Sequence, residues 1–441
     1  MKKVLWICNI MLPVIAKELK LPYSNREGWL TGILNQLIVK KESREIDLGI
    51  CFPISGFEEL SCLERGKPLM IEGVPCYAFA EDLAHPEKYA TSLEVDFEAI
   101  FADFMPDMIH VFGTEFPHAL AAVKTFGKPE KTLLGIQGLC YEIAKSYMAG
   151  MPEKVCRSIT FRDWIRKDSL RQQREKFVIR GEREKEIIRL AGHITGRTGF
   201  DRKGTAVIND KAQYHSMNET MRKSFYTGEW KKENSEKYSI FLGQGDYPLK
   251  GFHVLLEALP RICSVYPETK VYVAGNSIIN QKSIKDKIKL SAYGKYLLKL
   301  MKEYDLQGKI VVLGKLSEQQ MKERFLKTAV FVCPSVLENS PNTIGEAMLL
   351  GVPVVASKVG GIPDMISHEE DGLLFASGNA EELANAVLRL FHDAMDEKGK
   401  TLTQKLSENA RKRAAKVHDG DTNYKRLMEI YDIICKKEQT K

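Results

Sequence analysis

Residues 331–364 read FVCPSVLENSPNTIGEAMLLGVPVVASKVGGIPD. The apolar run from Ala329 to Cys333 has the length of a buried strand, and Glu338 follows it in a polar loop. Ser340-Pro341 reads as a cap and first-turn proline, because the N–H that proline lacks has no helical partner at that position. The helix so begun carries Glu346, stops near Gly351 and gives way at Pro353 to a second apolar strand, Val354-Val355-Ala356. First-turn N–H groups without partners attract anions, and Asn342, Thr343, Ile344 and Gly345 form the rim of such a site. Glu346, one turn inside, is poorly placed for a phosphate but well placed for the hydroxyls of a ribose attached to it. Glu338, eight residues earlier, faces whatever lies beyond the phosphates, so the two acids suit a nucleotide-sugar.

The pair Glu338-x7-Glu346, with Pro341-Asn342-Thr343 between and Ala347-Met348 after, resembles the signature of the retaining family 4 (group 1) glycosyltransferases of the GT-B fold. Phe241-Leu242-Gly243 and Lys250-Gly251-Phe252, opening a helix that ends in Glu257-Ala258, extend the likeness. It is dense over about 238 to 395 and looser before. The resemblance implies an α/β chain of two doubly wound Rossmann-like domains facing across a cleft. It implies Glu338 beside the donor sugar, Glu346 on the ribose, and the base near Lys315-Leu316. Gly243, Gln244, Lys250 and the amides of Asn342, Thr343 and Ile344 complete the donor set. Three positions depart from the family pattern. Gln244 stands where relatives usually carry an arginine, Gln137 where many have a histidine, and Gly28-Trp29 where two glycines are common.

At 441 residues the chain is long enough for two domains with separate cores. The expected division is 1–228 for an N-terminal, acceptor-side domain and 238–414 for the nucleotide-sugar domain, with 415–441 crossing back to the first. Nine scattered cysteines, none in a CxxC pair, argue for reduced thiols in a cytosol and against a zinc site or disulfide framework. Lys2-Lys3 with VLWICNIMLPVIA imitates a secretory leader, but Asn9 and Pro13 interrupt it, and a first buried strand is the better account. No run approaches the roughly 20 apolar residues of a membrane span. The chain is therefore expected in the cytoplasm, with the inner face of a membrane as a peripheral station.

The net charge of +7 is concentrated between Met151 and Leu190, where 12 Lys/Arg face 7 Asp/Glu. Phe161, Trp164 and Phe177 interleave with these arginines, a composition that suits peripheral contact with an anionic membrane through 151–190 or a charged acceptor. A solvated helix pair is the competing account, and no recognisable nucleic-acid module accompanies the charge.

Earlier in the chain, Lys3 to Cys8, Ile46 to Phe52, Met108 to Phe112 and Lys131 to Ile136 read as strands, with helices at Gly28 to Val39 and Phe116 to Phe126. Gly28 opens its helix as a candidate for phosphate or acceptor contact, against a packing role. Gln137 can hydrogen-bond a sugar but cannot titrate. His118 remains nearby as a candidate catalytic group, against a structural histidine, and Arg197 as an acceptor or interdomain contact, against a pair with Asp201. Tyr214 to Lys237 is polar enough for a linker, and Asn276 to Tyr304 is basic and helical, as a surface excursion would be.

Departure of a nucleoside diphosphate needs its growing charge stabilised. No Asp-x-Asp pair is poised on the motif's loops to hold a metal, so Lys250 and the helix end are expected to serve, without metal or other cofactor. The expected function is transfer of a sugar from a nucleotide-diphosphate sugar, a UDP-sugar foremost, to a glycan or lipid-linked acceptor, in surface polysaccharide or glycolipid synthesis. The runners-up are a catalytically silent nucleotide-sugar-binding subunit and a GT-B epimerase or phosphorylase.

Overall fold

The computed structural model describes residues 1–21, 28–40, 46–281, 283–395, 397 and 399–436. The chain divides into two compact units. Unit 1 comprises Met1–Ala144, Lys176–Thr220 and the segment from His418, and unit 2 comprises Lys145–Glu175 and Met221–Val417.

Unit 1 holds eight strands: β1 (Lys2–Ile7), β2 (Ile46–Ile54), β3 (Pro68–Ile71), β4 (Val74–Ala80), β5 (Met108–Phe112), β6 (Thr132–Gly135), β7 (His193–Gly196) and β8 (Gln213–Ser216). They lie in the order β3-β4-β2-β1-β5-β6-β7-β8, parallel throughout except for the β3/β4 pair. The leader-like N-terminus is thus a central strand. Its side chains alternate with the period of two that a pleated strand imposes. Val4 and Trp6 join the core that includes Leu34 and Leu427, while Leu5 and Ile7 join the one that includes Phe97 and Ile100. The helix Gly420–Cys435 is tied in through Tyr431, whose hydroxyl accepts from Trp6 Nε1 at 2.7 Å and lies 2.8 Å from His110 Nδ1.

Unit 2 holds β9 (Glu236–Leu242), β10 (Lys270–Ala274), β11 (Ile310–Gly314), β12 (Thr328–Cys333), β13 (Val354–Ser357) and β14 (Leu373–Phe375). They are all parallel, in the order β11-β10-β9-β12-β13-β14. The chain runs outward from β9 to β11 and then crosses back to lay β12 on the other side of β9. That reversal makes the carboxyl ends of β9 and β12 the switch point where doubly wound sheets open a ligand crevice.

Several sequence expectations need correction. The polar stretch 214–237 is no loose linker: Met221, Phe225 and Trp230 are buried in unit 2, and the Trp230 indole donates to the Thr328 carbonyl at 2.7 Å. The units therefore part at Thr220/Met221, earlier than the expected 228, and residues up to Val417 belong to unit 2. The basic stretch 151–190 is more than a helix pair: it and the residues before it form the helices Cys140–Ser146, Glu153–Arg157, Phe161–Arg166 and Leu170–Arg189, and 145–175 packs as part of unit 2. Residues 276–304 are more than a surface excursion, since Tyr293, Tyr296 and Leu297 of the helix Ala292–Glu303 are buried. In the loop that follows β1, Pro13–Glu18 forms a short helix, and residues 22–27 lie outside the described residues.

Candidate active site

The loops that leave β9 and β12 meet at two glycines. After β9, Gly243 to Gly245 lead into a short turn, Pro248–Lys250, and Gly251 then adopts a left-handed φ of +67° before the helix Phe252–Val265. A Cβ at Gly251 would lie 1.8 Å from the Pro334 carbonyl oxygen, so only glycine lets this turn press against the loop after β12. The Val336 N–H donates to the Leu249 carbonyl at 2.7 Å across the same seam. Gly360 repeats the device on the other flank, where a Cβ would come 1.8 Å from the Glu338 carbonyl oxygen.

Held this way, Lys250 Nζ donates to Glu338 Oε1 at 2.5 Å, and the Ser335 hydroxyl donates to the same oxygen at 2.8 Å. The side chains of Lys250 and Glu338 are 20% and 13% exposed, enough to meet a ligand while partly shielded from water. Burial alone would lower the Lys250 ammonium, but the adjoining Glu338 carboxylate and the Tyr247 side chain outweigh it and hold the group protonated well above the ordinary lysine range. Beneath them, burial and then Glu338 push the Cys333 thiol up to about 11, so it is neutral.

The helix after β12 spans Asn342–Leu350, with Pro341 at its N-cap and no side-chain cap. The expected Ser340 cap is therefore corrected, with the consequence that no side chain competes for the first-turn amides. Asn342 Oδ1 is buried without a hydrogen-bond partner among the described residues. Thr343 lies close to Gly243, whose added Cβ would meet Thr343 Cγ2 at 3.5 Å. The sequence places Glu346 on this helix, and the structure gives it a partner that no motif announced. Arg222 Nε and Nη2 both donate to Glu346 Oε1, at 3.0 and 2.5 Å, while Oε2 is buried with no partner among the described residues. Burial pushes the Glu346 carboxyl up to about 7, Arg222 opposes that rise, and Glu318 adds to it.

Gln244 does not replace the missing arginine as a charge. Its amide donates to Asp246 Oδ1 at 2.9 Å, and Asn276 Nδ2 donates to Asp246 Oδ2 at 2.8 Å. Lys315 is exposed and Leu316 half-buried in the loop after β11, immediately before the capping box of the helix Glu318–Lys327.

The unit 1 candidates fall at the carboxyl ends of its strands but are differently engaged. Gln137 Oε1 accepts from Asn9 Nδ2 at 2.8 Å. Gly28 is buried at the start of the helix Gly28–Val39. His118 is fully buried, with Nδ1 2.8 Å from Glu81 Oε2 and its backbone N–H donating to Glu81 Oε1 at 3.1 Å. That carboxylate caps the N-terminus of the helix Pro117–Phe126, a geometry that suits a structural pair and not a group open to substrate. The Arg197 guanidinium forms an ion pair with Glu219, while Asp201, its expected partner, accepts its backbone N–H, at 3.0 Å, and caps the helix Gly199–Ala206 together with Thr198.

Comparison with known proteins gives the class. Residues 223–413 match the family model described as "Glycosyl transferases group 1". The gpi3 subunit of phosphatidylinositol N-acetylglucosaminyltransferase from Schizosaccharomyces pombe is 26% identical over 190 residues, 43% of this chain and 37% of that protein. An uncharacterized glycosyltransferase of Methanocaldococcus jannaschii is 28% identical over 201 residues, 46% of each chain. The matches thus span less than half the length of these curated relatives. Among solved structures, sucrose-phosphate synthase from Thermosynechococcus elongatus superposes with a TM-score of 0.66 at 16% identity, covering 98% of each chain. HepE of Anabaena in complex with UDP-glucose gives 0.63 at 15% identity, over 98% of this chain and 99% of that one. The fold is the GT-B fold of glycosyltransferases, and the stretch 223–413 is a glycosyltransferase group 1 domain.

Proposed function

We propose that this protein is a retaining, metal-independent glycosyltransferase that moves a sugar from a UDP-sugar to a glycan or lipid-linked acceptor in surface polysaccharide or glycolipid synthesis. The observation that carries the proposal is the Lys250–Glu338 contact at the switch point, beside an uncapped helix N-terminus with Glu346 one turn inside. The diphosphate lies on the amides of Asn342 and Thr343 and against Lys250, beside Ile344, whose own N–H donates to the Pro341 carbonyl at 3.0 Å, with Glu338 at the sugar and Glu346 Oε2, which has no partner among the described residues, accepting from a ribose hydroxyl. Gly243, Gln244 and Lys315-Leu316 line the remainder of the donor. In the transfer step the bond from the anomeric carbon to the diphosphate oxygen breaks, and one to the acceptor oxygen forms on the same face. The acceptor proton passes to the departing phosphate oxygen. Lys250 and the helix amides, fixed before the reaction, stabilise the charge that develops there. Gln137 and Gly28 are assigned to acceptor or phosphate contact. His118 and Arg197, both held in buried pairs, serve the scaffold.

No helix among the described residues is long and apolar enough to cross a membrane. Ile159, Phe161, Trp164 and Ile165 are nevertheless each more than half exposed, next to exposed Lys154, Arg166 and Lys167. Apolar side chains ringed by cations are the composition of a surface that lies on an anionic bilayer. The proposal therefore includes peripheral membrane contact through this part of 151–190 at the cytoplasmic face.

Thermal-shift screening of UDP-, GDP- and ADP-sugars tests the donor assignment, since a ligand of the folded state raises the melting temperature by mass action. Stabilisation by a UDP-sugar, followed by acceptor-dependent product with unchanged anomeric configuration in EDTA, is expected. Absence of any nucleotide-sugar shift, or capture of a sugar covalently on a protein carboxylate, would overturn the reading.

A further inference from the structure

The turn Lys223–Tyr226 of unit 2 packs against both the helix Glu318–Lys327 and the helix Asn342–Leu350. Phe225 is fully buried there, edge-on to Phe325 with ring centroids 6.2 Å apart, and the Ser224 hydroxyl donates to Glu318 Oε1. One of these helices follows the loop that carries Lys315-Leu316, and the other carries Glu346. The turn is thus a brace between the base end and the ribose end of the proposed nucleoside site.

Arg222 is the charged member of this brace. Its guanidinium is 11% exposed, lies 4.8 Å from the centroid of Phe225 and stands near two acids, hydrogen-bonded to Glu346 and with Nε 3.9 Å from Glu318 Oε2. An arginine that meets a carboxylate as a fork gives one N–H to each oxygen. Here Nε and Nη2 both go to Glu346 Oε1, at 3.0 and 2.5 Å, and Oε2 has no partner among the described residues. Glu346 is 2% exposed, and a buried carboxylate oxygen without a donor is costly, so its persistence calls for an O–H supplied from outside the chain.

We infer that Arg222 is a positioning residue of the nucleoside end of the donor site and that it sets a preference for a ribonucleotide: by occupying one oxygen of Glu346 it aims the other at a single ribose hydroxyl. This role rests on the glycosyltransferase reading above and deepens it from the phosphates to the ribose. Arg222 touches no reacting atom. It acts through Glu346, and its second acid, Glu318, ties it to the helix that follows the base loop.

The test uses the full chain and calorimetric titration with UDP, 2′-deoxy-UDP and 3′-deoxy-UDP. Loss of one of the two hydroxyls should weaken binding to the unaltered chain by about tenfold or more, as withdrawal of the donor from a buried acceptor does. Arg222→Lys keeps a positive charge beside Glu346 but replaces a rigid fork with a rotatable ammonium, and in it the ratio of UDP to deoxy-UDP affinity should fall to about threefold or less. Glu318→Gln, at a partly exposed position, leaves both partners of the Arg222–Glu346 pair intact and should give a smaller fall, with circular dichroism checking the fold of each variant. A merely structural brace predicts that the variants lose affinity for all three nucleotides alike and keep the ratio. That result in every variant that folds, or an absence of discrimination in the unaltered chain, overturns the inference and leaves UDP as the donor nucleotide. If UDP does not bind the unaltered chain, the donor reading falls and takes this role with it.

Discussion

Arg222 and Glu346, 124 residues apart in sequence, are joined through one carboxylate oxygen that receives two N–H groups, while the other oxygen has no partner among the described residues. The arginine thus holds the acid in place and still leaves a lone-pair acceptor for a ligand. Breaking the pair from either side exposes a buried charge, and the two sides differ in what else they lose.

Arg222→Ala leaves Glu346 buried and uncompensated, a change that costs about 3–5 kcal/mol when one partner of a buried pair is removed. A fall in denaturant midpoint without a change in slope is expected. Adding Glu346→Gln to this variant should recover part of the loss, because the orphaned charge is gone. A double variant as unstable as the sum of the single ones would show that the two residues do not interact.

Stability should carry a pH signature of Glu346. Its folded pKa of about 7 lies above the ordinary value of 4.5, so between these the folded state binds more protons than the unfolded chain. Its favourable contribution is then complete below about pH 4.5 and declines as the pH rises to about 7, by roughly 3 kcal/mol at most. The unfolding free energy of Glu346→Gln, followed against that of the unaltered protein from pH 4.5 to 8, should improve in relative terms across this window and level off above it. A flat difference would remove the basis for the raised carboxyl.

Lys250→Met should lower turnover of the donor by about 10²–10³, the loss typical when one group aimed at developing charge is removed. Because Glu338 loses its cation in the same variant, circular dichroism and the denaturant midpoint of Lys250→Met, measured beside its turnover, separate charge stabilisation from loop collapse. Turnover measured by nucleotide release and chromatography of the glycosylated product decides the matter. Undiminished activity in Lys250→Met would remove the lysine from the mechanism.

At Gly251 an alanine meets both a left-handed backbone and a carbonyl 1.8 Å away, whereas at Gly378, with φ of +74° and open space around it, only the backbone term applies. The left-handed term is about 1–2 kcal/mol, so Gly378→Ala should lose about that much and Gly251→Ala clearly more. Chemical denaturation of both variants gives the comparison, and the UDP thermal shift should shrink only for Gly251→Ala, whose clash drives the Lys250 and Glu338 loops apart.

Trp164→Ala with Ile165→Ala should weaken binding to phosphatidylglycerol-containing vesicles by about tenfold or more, since burying one large apolar side chain contributes about 1.5–3 kcal/mol. Flotation at low and high salt separates this from the share supplied by Lys154, Arg166 and Lys167. Retention of binding by the double variant would place the membrane contact elsewhere on the chain.

Much of the second unit was legible because its evidence is local. An apolar run, a polar loop and an amphipathic helix sit within about 35 residues around Glu338 and Glu346, and strand and helix periods can be read one element at a time. Arg222 was not legible, since nothing in its neighbourhood distinguishes a solvated arginine from one buried against a helix 124 residues on. The misread linker has the same cause. Trp230 and Phe225 are isolated apolar residues in a polar setting, and only the tertiary partner Thr328 and the surrounding core show why they are there. Ser340-Pro341 carries a strong capping signal, yet the helix begins one residue later, with Pro341 as the cap and no side-chain cap bond, a shift within the one or two residues by which helix ends commonly vary. For 145–175, helix-forming letters gave the segments but not the unit they join, which depends on contacts such as Asp163 with the Ala292 amide.

The two glycines on either flank of the Glu338 loop set the terms on which this scaffold can diversify. At neither position can even a methyl group be tolerated without moving main chain, so drift among descendants is barred from the frame and confined to side chains that project from it. A lineage that acquires a new donor would accordingly be recognised by altered letters at positions such as 244 and 315, with 251 and 360 left as they stand.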